Sequence, residues 1–399
     1  PTLESRAAGN AMRQINDLWL VIFSGDELFR KERVDLSKAT ISQVTNSRPD
    51  TDEHCTEQTT RVEFEYTVPN GRYRIYAVAN VDLSDKDIRT QGDLQHIRLV
   101  WNNDPGQINS NAQMIGYFTA DRNGGTASFS TVSGDEKTGY EETGALEADE
   151  ITVRASTSLH AWVRRAASKI TVAFDTRDLR ENIYIYIKSV TVKDIPEDCY
   201  LGASNTPGAL NRAEGMSNGL VDGETVYFGK ADASQTDHKA HYNKWMRLTK
   251  GDVLAGLYSN ANGKYGENVS YDERYAKEHS DEVPALYFYE NLQGLGQEGT
   301  PSDKRQDVSG NNSQVTYPGG NNPDNEAFKD AKRKGSYVEV EAYYICEDSR
   351  NPGQGPITYR FMLGKDTKTD YNAERNHHYK LTLKFNGYAN DIDWHIVYK

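Results

Sequence analysis

A chain of 399 residues is longer than one hydrophobic core usually serves, so two domains are expected. Only 36% of the residues are hydrophobic, yet 25 Tyr and 11 Phe offer large areas to bury and 32 Gly supply reversals, which excludes a disordered chain and points to strands. The 46 basic and 59 acidic residues leave a net charge of −13 with no basic cluster, which excludes a nucleic-acid partner, and no apolar run approaches the ~18 residues of a membrane-spanning helix.

The chain opens Pro1-Thr2-Leu3-Glu4, without the basic and apolar regions of a signal peptide, so any such peptide is expected to have been removed. The first strand is Leu18-Trp19-Leu20-Val21-Ile22-Phe23, bounded by Asp17 and by Ser24-Gly25-Asp26. It is apolar on both faces, with Leu18, Leu20 and Ile22 on one of them, and is therefore expected in the middle of a sheet covered on both sides. Val62, Phe64, Tyr66 and Val68 alternate with Glu63, Glu65 and Thr67, and after Pro69-Asn70-Gly71 the apolar positions are Tyr73, Ile75, Ala77 and Ala79. This spacing predicts a hairpin with a tight Asn-Gly turn.

A basic step at Arg164-Arg165 is followed by a fresh strand from Ala166 to Val172, which places a domain boundary between 163 and 164. The second domain, 164–399, has strands at Ile170/Val172/Phe174 and Ile183/Ile185/Ile187. Further strands follow at Val338/Val340/Ala342/Tyr344 and Leu381/Leu383/Phe385. Between them lies an insertion, roughly residues 200–334, dense in Gly, Asn and Asp, with one short helix predicted from Glu326 to Lys334. One buried and one wet face per strand is the pattern of antiparallel β-sandwiches. The expected class is all-β, and the lack of a repeat excludes solenoids and propellers.

Little in the chain is arranged for chemistry. Cys55, Cys199 and Cys346 are too few for a disulfide scaffold, leaving open a Cys199–Cys346 bridge or buried thiols. Adjacent His377 and His378 point to opposite faces of a strand, and His238 and His241 lack accompanying thiols or carboxylates, so no metal site is expected. Glu339 and Glu341 share a strand face and could mimic a glycosidase pair, but solubility and edge protection explain them better. Neither a Gly-x-Ser-x-Gly elbow, a P-loop nor a dinucleotide fingerprint occurs. No catalytic residue, cofactor or enzyme activity is expected. Tyr184, Tyr186, Tyr337 and Tyr343 lie opposite aliphatic positions and are predicted on wet faces, as cross-strand pairs or as a platform for a sugar or a protein.

Several long motifs carry a resemblance. They are Ala285 to Gly294 with Asp303-Lys304-Arg305-Gln306-Asp307, then Gly335 to Tyr344, then Tyr359-Arg360-Phe361-Met362-Leu363-Gly364-Lys365-Asp366. The last continues through Tyr371 to Tyr379 and ends at Asp393-Trp394-His395-Ile396. These segments resemble the fimbrillin-like lipoproteins of Bacteroidales, within the type V pilin superfamily. Leu18 to Gly25, Pro69 to Asn80 and Trp162 to Ile170 are similar to its first strand, its Ala-Asn element and the start of its second domain.

The resemblance implies two transthyretin-like β-sandwich domains, export as a lipoprotein, outer-membrane anchorage through a lipidated precursor, and a place in a cell-surface fimbrium. It further implies that a trypsin-like protease removes the N-terminal strand and that subunits polymerise by strand exchange. Arg6-Ala7 is then the processing site, with residues 1–6 as propeptide and Arg13 as the second candidate. Leu18, Leu20 and Ile22 would border the acceptor groove, and the first domain should have an incomplete edge. Other pilin subunits are the expected partners, with a host or bacterial surface protein or glycan as a receptor. A surface lipoprotein that binds glycans through its long loops without polymerising is the alternative. The lipobox cysteine is absent, and the sequence stops at Lys399 where related chains donate a strand. Either a tail is missing, or the subunit accepts a strand without donating one.

Overall fold

The computed structural model describes residues 14–45, 58–102, 112–120, 146–161, 163–205, 220–223, 225–227, 234, 236–242, 245–251, 253–254, 286–300, 303–304, 315–316 and 335–398. The helix predicted at Glu326–Lys334, most of the insertion from 206 to 334, and Cys55 lie outside them. The described residues are all-β and divide into two compact units. One comprises residues 14–167 with 198–205, the other 168–197 with the described residues from 220 onward.

The first unit begins with β1 (Leu18–Ser24), β2 (Glu27–Arg33), β3 (Thr40–Thr45), β4 (Gln58–Glu63) and β5 (Gly71–Ala79). A short helix, α1 (Gln91–Gln95), leads to β6 (Arg98–Val100) and β7 (Met114–Ala120). Three short strands follow: β8 (Ile151–Val153), β9 (Leu159–Ala161) and β10 (Arg164–Arg165). The main sheet has the order β10-β7-β5-β1-β2, with β8 also on β5 and β9 on β7, and its ladders are antiparallel. Doubly apolar β1 lies inside this sheet, and all six residues from Leu18 to Phe23 are buried. Leu20 stands opposite Ala77 and Ile22 opposite Ile75.

Tyr76 organises the other face. Its ring meets Phe23 edge-on at 5.8 Å and Tyr117 at 6.5 Å, and its hydroxyl bonds Gln91 of α1 at 2.9 Å and the Leu146 carbonyl at 3.0 Å. The helix starts with a capping box, Thr90 accepting from the Asp93 N–H while Asp93 accepts from that of Thr90. The segment Thr90-Gln91-Gly92-Asp93 carries that signal in the sequence, although no helix is expected there from periodicity.

The predicted hairpin across Pro69-Asn70-Gly71 does not form. β4 pairs with β3, residues 64–69 are not strand, and β5 pairs instead with β1, β7 and β8. Both edges of β5 are occupied by those three strands, which leaves no ladder for the preceding segment. The alternation still reports the buried side, because Val62, Phe64, Tyr66 and Val68 pack half-buried against the Leu18/Leu20/Ile22 face.

The second part of the chain continues with β11 (Ala167–Asp175), β12 (Ile183–Lys193), β13 (Ile195–Pro196) and β14 (Asp198–Tyr200). The last of these belongs to the first unit: it pairs with β6, and Asp198 bonds Arg98 at 2.6 Å. Short elements follow: β15 (Leu220–Val221), β16 (Thr225–Tyr227), α2 (His238–His241), β17 (Met246–Leu248) and β18 (Val253–Leu254). Then come β19 (Leu286–Tyr289), β20 (Asn291–Leu295), β21 (Val315–Thr316), β22 (Tyr337–Cys346) and β23 (Gly353–Met362). The chain closes with β24 (Asp370–Ala373), β25 (His378–Phe385) and β26 (Ile392–Tyr398).

Two large sheets dominate this second unit, β18-β11-β25-β26 with β19 on β11, and β16-β12-β22-β23-β21 with β17 on β12, and the short pairs β13-β15 and β20-β24 accompany them. The two large sheets face one another through aromatic contacts, Tyr359 to Phe385 at 5.7 Å and Phe361 to Trp394 at 4.9 Å. The ladders of β22 and of β26 are antiparallel, but β11 and β25 run parallel from Lys169↔His378 to Asp175↔Lys384. A parallel neighbour needs a long crossover, and the chain between β11 and β25 supplies it.

Candidate functional site

The face of β1 that carries Leu18, Leu20 and Ile22 continues into Tyr73, Ile75, Ile151 and Val153, all buried. Its cover is made of half-buried side chains: Val34, Phe64, Tyr66, Val68, Phe118 and Leu159. Most of this cover comes from segments that add no strand to the main sheet. Beside it runs β2, the edge strand, where Phe29 is 41% exposed and leans on the Tyr73 ring at 5.2 Å.

Polar contacts pin this cover at one corner. Arg30 donates to the Tyr66 hydroxyl at 3.1 Å, and that hydroxyl donates to Glu32 at 2.6 Å. Partial burial and the Glu32 carboxylate hold the Tyr66 phenol above its ordinary pKa, so it remains a donor. The edge itself is charged, with Glu27, Arg30, Lys31, Glu32 and Arg33 in seven residues. Lys31 Nζ ties it to the Leu83 and Lys86 carbonyls at 2.5 and 2.8 Å. Such an edge resists casual strand pairing.

The other sequence expectations meet the structure as follows. Arg6, Ala7 and Arg13 lie outside the described residues. Cys199 and Cys346 are buried and not bridged. Tyr186, Tyr337 and Tyr343 are buried rather than wet, and Tyr184 is half-buried. Tyr242 and Trp245 lie over Tyr186 and Tyr343, Tyr242 stacking on Tyr343 at 4.3 Å, and Tyr337 packs with Met362 and Tyr371. Lys239 caps the Tyr184 ring at 3.9 Å. Glu339 is buried against Arg360 at 2.6 Å and Glu341 holds Lys188 at 2.6 Å, so each carboxylate has its own cation. His377 stands 3.6 Å from Glu374, and His241 packs on Tyr242 at 4.5 Å. Among the described residues no three His, Cys, Asp or Glu side chains converge as metal ligands.

The familiar motifs of the second unit turn out to hold its core together. Arg375 and Glu290 form a fully buried pair at 3.3 Å. The Tyr379 hydroxyl accepts from the Glu374 N–H at 2.8 Å, and Ser168 donates to the Glu374 carbonyl at 2.5 Å. The turn 364–370 wraps Asp366, whose carboxylate accepts from the N–H groups of Lys368, Thr369 and Asp370 at 2.8, 2.7 and 3.0 Å. Partial burial raises its pKa, but those donors outweigh it and bring the carboxyl down to about 2. Only glycine suits position 364, with φ of 150° and a Cβ that would lie 1.9 Å from the Asp370 carbonyl.

Lys304 is buried under this turn, between the rings of Phe361 at 4.9 Å and Tyr371 at 5.8 Å, and donates to the Asp366 carbonyl. Burial brings its pKa down to about 7, against the opposing pull of Asp366 and Asp370. Nothing in its local sequence signals such a position, since a lysine between Asp303 and Arg305 reads as surface.

Residues 286–383 match a family described as a domain of unknown function, DUF4906. No curated protein sequence matches the chain. Among solved structures it is similar to a candidate cell adhesion protein from Parabacteroides distasonis, with 12% identity, coverage of 98% of this chain and 89% of that one, and a TM-score of 0.44. It is also similar to the tip fimbrial protein Mfa3 from Porphyromonas gingivalis with C-terminal truncation, at 9% identity, 98% and 96% coverage and a TM-score of 0.43. A fimbrilin from the same organism is 14% identical over 96% of this chain and 90% of its own, with a TM-score of 0.39.

Proposed function

We propose that the chain is a structural subunit of a cell-surface fimbria or adhesin, joined to its neighbours by a donated strand after N-terminal processing at Arg6. The observation that carries this reading is the Leu18/Leu20/Ile22 face, deeply buried yet roofed by side chains that are themselves half-exposed. A donated strand setting about four apolar side chains there would gain roughly 1.5–3 kcal/mol for each, as an upper bound. Side-chain burial, rather than ladder hydrogen bonds, would carry that contact, since both edges of β1 are already paired. Such a joint needs no cofactor, metal or covalent link.

The test is made on the full-length precursor in its own outer membrane. Multimers that survive mild detergent should form with wild type and disappear when Arg6 and Arg13 are both replaced by Ala. Undiminished multimers in that variant would overturn the role of processing, and a wild-type chain that stays monomeric after complete cleavage would overturn the subunit reading itself.

A further inference from the structure

The outer edge of β2 is closed by the chain's own backbone. Among the described strands β2 pairs with β1 alone, which leaves its other side as the kind of edge on which a second chain can add a strand. Residues 83–91 run along that side. Glu27 and Thr90 form an isolated antiparallel bridge, the Leu28 N–H donates to the Arg89 carbonyl at 2.8 Å, and the Gln91 side chain donates to Asp26 at 3.1 Å. Leu83 and Ile88 anchor the segment and are buried, while Ser84, Asp85, Lys86 and Asp87 between them are exposed.

The turn between these anchors is shaped around a cation. The Lys86 N–H donates to the Leu83 carbonyl at 3.2 Å, and Asp82 accepts from the Ser84 N–H at 2.9 Å. Lys31 reaches into this turn from the middle of β2. Its Nζ donates to the carbonyls of Leu83 at 2.5 Å, Lys86 at 2.8 Å and Ser84 at 3.3 Å. An ammonium has three donors and no acceptor, so three converging carbonyls use all of it. Convergent backbone carbonyls also hold free compact cations by replacing their hydration shell. Here the cation comes on a side chain, and its tether is the strand that the segment covers.

We propose that Lys31 is a tethered cation: its ammonium fills a three-carbonyl cage at 83–86, fastens residues 83–91 along β2, and so withholds this edge of the main sheet from pairing with a second copy of the chain. The experiment compares the full chain with its Lys31→Ala variant by hydrogen exchange over β2 and residues 83–91. In the variant the Leu28 amide and the covering segment should exchange about tenfold faster or more, as loss of charge-assisted bonds implies. Ammonium chloride should restore slow exchange, because the free ion offers the same donors. Tetramethylammonium chloride at equal ionic strength should not, since it screens equally and donates nothing.

With its edge open, the variant should also self-associate with rising concentration beyond wild type by sedimentation, and ammonium should reverse the excess. Exchange unchanged by the substitution, or recovery equal in the two salts, would overturn the cage. A loosened segment without added self-association would overturn the guarding role. Should the variant fail to fold by circular dichroism, acylation of wild type carries the test. Lys31 should react with an N-hydroxysuccinimide ester several-fold more slowly than Lys38, whose side chain is 82% exposed, and equal rates would overturn the cage.

Discussion

Lys304 occupies a position where an ammonium is hard to keep charged, because burial withdraws water and a carbonyl, two ring faces and the pull of Asp366 and Asp370 replace it only in part. Its amine holds a proton up to about pH 10.5 when the chain is unfolded and up to about 7 when it is folded. Between those values the unfolded state binds more protons, so stability rises with pH across that window, by at most about 1.4 kcal/mol per pH unit. Lys304→Met removes this dependence. Its stability curve should be flatter than wild type from pH 7 to pH 9.5, and its relative gain largest at the acid end, measured by urea unfolding at each pH. Parallel curves would show that the amine titrates normally. A second prediction concerns Arg375. Replacing it with Met strands a buried Glu290 carboxylate and should destabilise the second unit by about 3–5 kcal/mol. Adding Glu290→Leu should recover most of that loss, since the pair matters mainly through the penalty of breaking it. A double variant no more stable than the single one would mean that the pair itself supplies the energy.

At the scale of the element, β1 shows what local pattern can and cannot convey. Six consecutive apolar residues require cover on both faces, and β1 does lie between β5 and β2 with both faces packed. Alternation at Val62 to Val68 likewise gives the correct buried side, yet not the partner, because period-two patterning says which face is dry and is silent about which edge is vacant. The tyrosines of β12 and β22 failed for another reason. Tyr186 and Tyr343 lie where a wet face is expected, but Tyr242 and Trp245, remote in sequence, cover them, and no window of local sequence contains both partners. The Leu18/Leu20/Ile22 face was therefore legible from sequence, whereas its half-buried cover was not. The central position of β1 makes a direct prediction. Leu20→Asp with Ile22→Asp places two carboxylates against Tyr73, Ile75 and Ile151, and should abolish folding of the first unit, read by near-ultraviolet circular dichroism. Unchanged melting would place the strand at the periphery and remove the proposed acceptor role with it.

For the molecule as a whole, the balance of charge and apolar burial decides how an assembly should respond to salt. A net charge of −13 sets copies of the chain against each other at neutral pH. The candidate joint, in contrast, is apolar in its middle, with the charged strand β2 along its rim. Screening shortens the reach of repulsion to roughly 3 Å at about 1 M salt while leaving hydrophobic burial intact. Multimers built through the Leu18/Leu20/Ile22 face should therefore become more stable as sodium chloride rises from about 0.05 to about 1 M. Multimers built through rim ion pairs, such as Arg30 and Glu32 reaching a neighbour, should weaken over the same range. Sedimentation of purified multimers across that series, each followed by urea titration, separates the two. Dissociation at high salt would count against the strand-seated joint, because loss of screened attractions cannot loosen a contact held by buried leucine, isoleucine and tyrosine side chains.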